Sequence, residues 1–226
     1  MPWWGLLLAA AGAYLVGAVP VGYLLVRALK GIDIRTQGSG SVGATNAARV
    51  LGRRAFFVVF GLDALKGLLP TAAAGMLAGY AWGRGPAPLA AVLCALAAVA
   101  GHNWPAYIGF RGGKGVATSF GALLYVAPES LPAALLVWGV AAWVWRYVSL
   151  ASVLAALAAA TATVAVWHHA GRLGEAKFAV AFVCLAAAAV VVRHRSNLLR
   201  LCKGTEPKLG AKKAPAGEDV PDEGRG

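Results

Sequence analysis

Three polar, glycine-rich islands interrupt an otherwise apolar chain. The first runs Gly38-Ser39-Gly40-Ser41-Val42-Gly43-Ala44-Thr45-Asn46-Ala47-Ala48-Arg49. Glycines let successive backbone N–H groups point inward, which makes a nest for an anion. Ser39, Ser41, Thr45 and Asn46 add donors, and Arg49 adds a planar, permanently charged fork that suits phosphate. A plain interhelical linker seldom combines so many donors with an arginine.

The second island is Gly101-His102-Asn103-Trp104-Pro105 followed by Phe110-Arg111-Gly112-Gly113-Lys114-Gly115-Val116-Ala117-Thr118. It ends one helix and begins another, and exposed N–H groups at a helix start favour anions. Lys114 offers a compact cation. The run is not a Walker A loop, because Gly115 rather than Ser or Thr follows the lysine and no strand precedes it. His102 reads either as a capping or core histidine or as a site residue. The third island is Arg193-His194-Arg195-Ser196-Asn197-Leu198-Leu199-Arg200-Leu201, then Gly204-Thr205-Glu206-Pro207. On a helix, His194 and Asn197 share a face. A basic stripe meeting anionic lipid explains the arginines but not His194, Asn197 or Glu206.

Long apolar elements must position these islands. Of 226 residues, 59% are hydrophobic and only 13% charged, with a mean hydropathy of +0.67. Crossing a bilayer takes roughly 20 apolar residues. The stretches 4–27, 55–80, 87–108, 149–168 and 176–192 meet that length. The first carries no Lys or Arg before Arg27 and is too long for a signal-peptide core, so it reads as a membrane helix. The region 115–145 is broken by Pro128, Glu129, Ser130 and Pro132. It reads as two short or tilted helices, giving seven in all, or as a re-entrant hairpin. Within the second span, Asp63 and Lys66 sit three residues apart, either neutralising each other or serving the site. The turn Arg146 to Ser152 brings Ser149 and Ser152 to the same side as the islands.

Charge placement sets the orientation. The net charge of +12 is concentrated in alternate loops, against a nucleic-acid surface and in line with the positive-inside rule. With the N-terminus outside, 17 of the 21 basic residues are cytoplasmic, and the C-terminus is cytoplasmic too. Residues 1–210 form a single all-α membrane bundle, and 211–226, rich in Pro, Gly and charge, read as a disordered tail. The three cysteines form no disulfide framework and no zinc spacing, and no metal or cofactor is expected.

From Val19-Pro20-Val21-Gly22-Tyr23 to Gly204-Thr205-Glu206-Pro207, the chain resembles the bacterial acyl-phosphate:glycerol-3-phosphate acyltransferases. These are inner-membrane enzymes that begin phospholipid synthesis. The three islands match the family's three signature motifs in order. Ser41, where the family often has Asn, and Ala47-Ala48 are small departures. The resemblance implies a seven-helix fold and transfer of the acyl group from acyl phosphate to the 1-hydroxyl of glycerol 3-phosphate. Lysophosphatidic acid and phosphate are the products. It implies partnership with membrane lipid and with an acyl-phosphate-producing enzyme. Carried over by motif, Ser39 and Arg49 hold phosphate, Lys114 contacts acyl phosphate, and Ser149, His194 and Asn197 complete the pocket. Gly38, Gly40, Ser41, Gly43, Thr45, Asn46, His102, Gly112, Gly113, Gly115, Thr118, Gly204 and Glu206 line the substrates. Ser152 competes with Ser149 for its place.

No histidine is followed five residues later by Asp, so the sequence holds no His-x-x-x-x-Asp base. A substrate phosphate oxygen is the expected proton acceptor. An organic-phosphate transporter would use similar basic pockets, but near the membrane midplane and with inverted repeats. Here the islands gather at one face and no repeat is evident.

Overall fold

The computed structural model describes residues 2–210; the tail expected over 211–226 lies outside the described residues. Among the described residues, all regular structure is helical. In chain order the helices are α1 (Trp3–Ala18), α2 (Val21–Lys30), α3 (Ala44–Leu51), α4 (Arg53–Trp82) and α5 (Ala87–Asn103). They continue with α6 (Val116–Val126), α7 (Leu131–Val144), α8 (Val148–His169), α9 (Lys177–Arg193) and α10 (Arg195–Cys202).

The expected first span is divided. Pro20 has no N–H to give a helix, and its ring pushes the preceding residue out of helical conformation. Val19 accordingly sits at φ −57°, ψ 113°, between α1 and α2. The Val19 carbonyl released at this break accepts a hydrogen bond from Lys66 Nζ at 2.7 Å.

Four segments are long and apolar enough to cross a membrane: Trp3–Lys30, Arg53–Trp82, Ala87–Ile108 and Val148–His169. Counting each bent helix pair as one span brings the number to six. One such pair is α6 and α7, which turn by 119° about residues 127–130. At 11 and 14 residues they extend about 16 and 21 Å, short of a full crossing. The described residues thus hold four to six candidate spans rather than a demonstrated seven, and α6 and α7 are each too short to cross separately. Its turn is held by Ser130, which donates from Oγ to the Ala127 carbonyl at 2.7 Å. From α8, the Trp167 indole donates to Glu129 at 2.8 Å.

Small residues let the helices approach closely, because lipid offers no hydrophobic force to drive helices together. The buried core of α5, α6, α8 and α9 is dominated by Ala and Val around Phe182. A second core gathers Val26, Ile34, Val42, Ala47 and Val59 from α2, α3, α4 and the loop between α2 and α3. Where α4 meets α6, a Cβ at Gly67 would strike the Thr118 carbonyl, and one at Gly121 would strike the Ala64 carbonyl. The backbones are thus in contact at both ends of this crossing. Overpacking of this kind costs about 1–3 kcal/mol. Gly67→Val is expected to lower the unfolding temperature of the detergent-solubilised protein by several degrees. Gly61→Val on the same helix, where nothing stands within 4 Å, is the control and should leave it unchanged.

Candidate active site

The loops at one end of the bundle enclose a polar cavity of about 110 Å³. All three islands reach it. From the first island come Ser39, Ser41, Gly43, Thr45, Asn46 and Arg49; from the second, His102, Lys114 and Gly115; from the third, His194, Asn197 and Glu206. Ser149, at the start of α8, joins them.

The first island is held by Asn46. Its amide donates to the carbonyls of Gln37 and Ser41 at 3.0 and 2.9 Å, and its oxygen accepts the Ser39 N–H at 3.1 Å. The side chain is 1% exposed. Asn46 therefore spends its polar atoms on the loop, and its expected role as a ligand donor becomes one of shaping the nest. Gly38 works with it: φ is +56°, and a Cβ would strike Asn46 Oδ1. Arg35 ties this loop to the second island. It pairs with Asp33 at 2.7 Å and donates to the Ile108 carbonyl at 3.0 Å.

The second and third islands are joined side chain to side chain. Lys114 Nζ donates to Asn197 Oδ1 at 2.6 Å, and Asn197 Nδ2 donates to Glu206 Oε1 at 2.7 Å. Ser149 Oγ donates to the same carboxylate oxygen at 2.7 Å, while Arg200 Nε takes Oε2 at 2.8 Å. Ser152 also borders the cavity, but its hydroxyl bonds back to the Val148 carbonyl at 2.8 Å. This separates the two serines. Ser149 belongs to the polar network and Ser152 to its own helix.

Burial alone would raise the Glu206 carboxyl, but hydrogen bonds from Asn197, Ser149 and Arg200 outweigh it and hold it below the usual carboxylate range. Lys114 moves the other way. Burial pushes its ammonium down to about 8; Glu206 opposes this, while Arg200, Arg49 and Arg193 add to it. His194 closes α9 and opens α10. Its Nδ1 stands 2.8 Å from the Val190 carbonyl. A carbonyl only accepts, so Nδ1 carries the proton and Nε2 keeps its lone pair.

Several expected site residues stand behind the cavity wall. Gly38, Gly40, Gly112, Gly113, Thr118 and Gly204 do not line it. Thr118 is fully buried against Gly67. Gly204, with φ +68°, ends α10 and turns the chain so that Glu206 points back. Conversely, Asp63 lines the cavity. Arg193 does not lie along the lipid as a basic stripe would. It donates to the Gly113 carbonyl at 2.6 Å and stacks over Trp104 at 5.6 Å, pinning the second island. Arg146 has φ +61°. It exchanges hydrogen bonds with Leu209 at 2.6 and 3.0 Å, which anchors the segment carrying Glu206. No sequence spacing announces either contact.

A second, apolar groove of about 300 Å³ adjoins the cavity. Phe56, Phe60, Val116, Trp138 and Ser152 form walls of both. The groove continues along α8 through Ala155 and Ala159, and along α9 through Ala187 and Val183.

Comparison with known proteins assigns the chain to a family. A family model described as glycerol-3-phosphate acyltransferase matches residues 7–204. A glycerol-3-phosphate acyltransferase 2 of Moorella thermoacetica is 45% identical over 204 residues, covering 90% of this chain and 97% of the relative. A glycerol-3-phosphate acyltransferase of Desulforamulus reducens is 42% identical, covering 89% and 94%. Among solved structures, an integral membrane glycerol 3-phosphate acyltransferase in its glycerol 3-phosphate form superposes with a TM-score of 0.77. It is 36% identical, with 91% of this chain and 96% of that one covered. Its lysophosphatidic acid form gives a TM-score of 0.74. The chain is a membrane protein and belongs to the glycerol-3-phosphate acyltransferase family.

Proposed function

We propose that this chain transfers a long-chain acyl group from acyl phosphate to the 1-hydroxyl of glycerol 3-phosphate. It releases lysophosphatidic acid and phosphate. The observation that carries this reading is the junction of a cation-bearing polar cavity with an apolar groove across shared walls. The acceptor is a small phosphate ester, and the donor joins a phosphate to a hydrocarbon tail. The cavity suits the phosphates and the groove suits the tail.

In this reading Arg49 and the nest around Ser39 hold one phosphate, and Lys114 holds the other. The hydroxyl oxygen attacks the acyl carbon, and the acyl carbon–oxygen bond to phosphate breaks. Phosphate is already a good leaving group, so orientation and charge stabilisation supply the catalysis. A phosphate oxygen of the substrate takes the hydroxyl proton, and no histidine base is required. His194 Nε2, an acceptor, orients the hydroxyl, and Asn197 keeps Lys114 directed into the cavity. The bundle over residues 1–210 lies in the bacterial inner membrane, N-terminus outside and site facing the cytoplasm. An acyl-phosphate-producing enzyme supplies the donor there.

The decisive assay supplies the purified protein with glycerol 3-phosphate and either palmitoyl phosphate or palmitoyl-CoA. Lysophosphatidic acid is expected with the phosphate donor; product with the CoA donor alone would overturn the reading. Arg49→Ala is expected to lower kcat/KM about a hundredfold or more, the scale of losing one charged donor from a preorganised site, with the protein still folded.

Lys114 gives a pH dependence whose sign is fixed. Its ammonium, held down to about 8 by burial, is charged below that pH and neutral above it. Acyl phosphate, the substrate Lys114 contacts in this reading, is already ionised there, so the KM for palmitoyl phosphate should rise as pH rises through about 8. Lys114→Arg, which stays charged, should flatten the profile. Palmitoyl phosphate turnover measured from pH 6 to 10 checks both outcomes.

A further inference from the structure

Asp63, Lys66 and His102 have no part in the chemistry above, yet they are 2%, 7% and 4% exposed. Lys66 Nζ lies 2.8 Å from Asp63 Oδ1 and donates to the Val19 carbonyl at 2.7 Å. His102 Nδ1 faces the same carboxylate oxygen at 3.6 Å. The other edge of the ring meets the second island. A Cβ on Gly113 would overlap His102 Nε2, and the Gly113 N–H donates to the His102 carbonyl at 3.0 Å. Contacts thus run from the break between α1 and α2, through Lys66, Asp63 and His102, to the backbone that immediately precedes Lys114.

Ionised groups within a membrane bundle are costly, and apolar packing is commonly as stable. Stability alone is therefore a poor reason for this trio. His102 lines the cavity, but no step above needs a histidine base. We propose that Asp63 is a positioning residue. Supported by Lys66, its carboxylate orients the His102 ring. The ring sets Gly113, and Gly113 sets the direction from which Lys114 approaches phosphate. The inference rests on Lys114 being a phosphate contact.

The test measures the palmitoyl phosphate Kd by calorimetry on the full chain, without glycerol 3-phosphate, with KM and kcat from palmitoyl phosphate turnover. Asp63→Asn should raise Kd and KM about tenfold, the usual scale for losing an outer-shell support, while kcat stays within about twofold. Lys66→Met added to Asp63→Asn removes the stranded ammonium; the double variant should remain weak. His102→Leu should bind as poorly as Asp63→Asn, and His102→Asn, which keeps a donor near the Nδ1 position, should bind several-fold tighter than His102→Leu. Unchanged Kd in Asp63→Asn, full recovery in the double variant, or equal loss in the two His102 variants would overturn the proposal. If Asp63→Asn does not fold, the His102 pair decides. A wild-type chain that binds palmitoyl phosphate without turning it over sinks the donor reading, and the Kd comparison still judges Asp63.

Discussion

The polar end of this bundle closes on the Glu206 carboxylate. Glu206 receives Ser149 from α8 and Asn197 and Arg200 from α10, and through Asn197 it meets Lys114 from the loop before α6. Without a negative charge at this point, Lys114, Arg49, Arg193 and Arg200 would face one another across a partly dry space. Like charges there repel strongly because little water screens them. This anion, hydrogen-bonded on both oxygens, helps make the concentration of cations tolerable. It does so without occupying the cations that face the cavity, since Arg49 forms no bond to it. The site is therefore charge-balanced at its back and electropositive at its front.

Much of this was legible in the sequence, and what was legible follows from local chemistry. Apolar runs near 20 residues marked the long helices, because the bilayer's thickness imposes that length. Glycines beside hydroxyls and Arg or Lys marked the three islands, because anion binding uses those residue types. Their convergence on one end followed from counting passes, and the structure brings all three to one cavity.

The remainder depends on partners remote in sequence. Glu206 finds Ser149 across 57 positions, and Arg193 finds Gly113 across 80. Nothing in either neighbourhood specifies the other. Asn46 has the same composition signal as a ligand donor, but its amide is consumed by the loop. Only the fold tells a donor facing inward from one facing the cavity. The short pair α6 and α7 was visible through Pro128 and Pro132, whereas its 119° turn and its tether to Trp167 were not.

The apolar groove has one open flank. Phe57 and Leu135 belong to its wall yet are 72% and 55% exposed on the outside of the bundle. A hydrocarbon tail lying there exchanges protein contacts for lipid contacts and never meets water. Each methylene moved into water costs about 0.8 kcal/mol, a penalty that grows with every carbon. A sideways path avoids that growth. For any amphiphile held with its head in the cavity, departure is then governed by the grip on the headgroup. Longer and shorter tails would leave at similar rates, and the bilayer itself would serve as the sink.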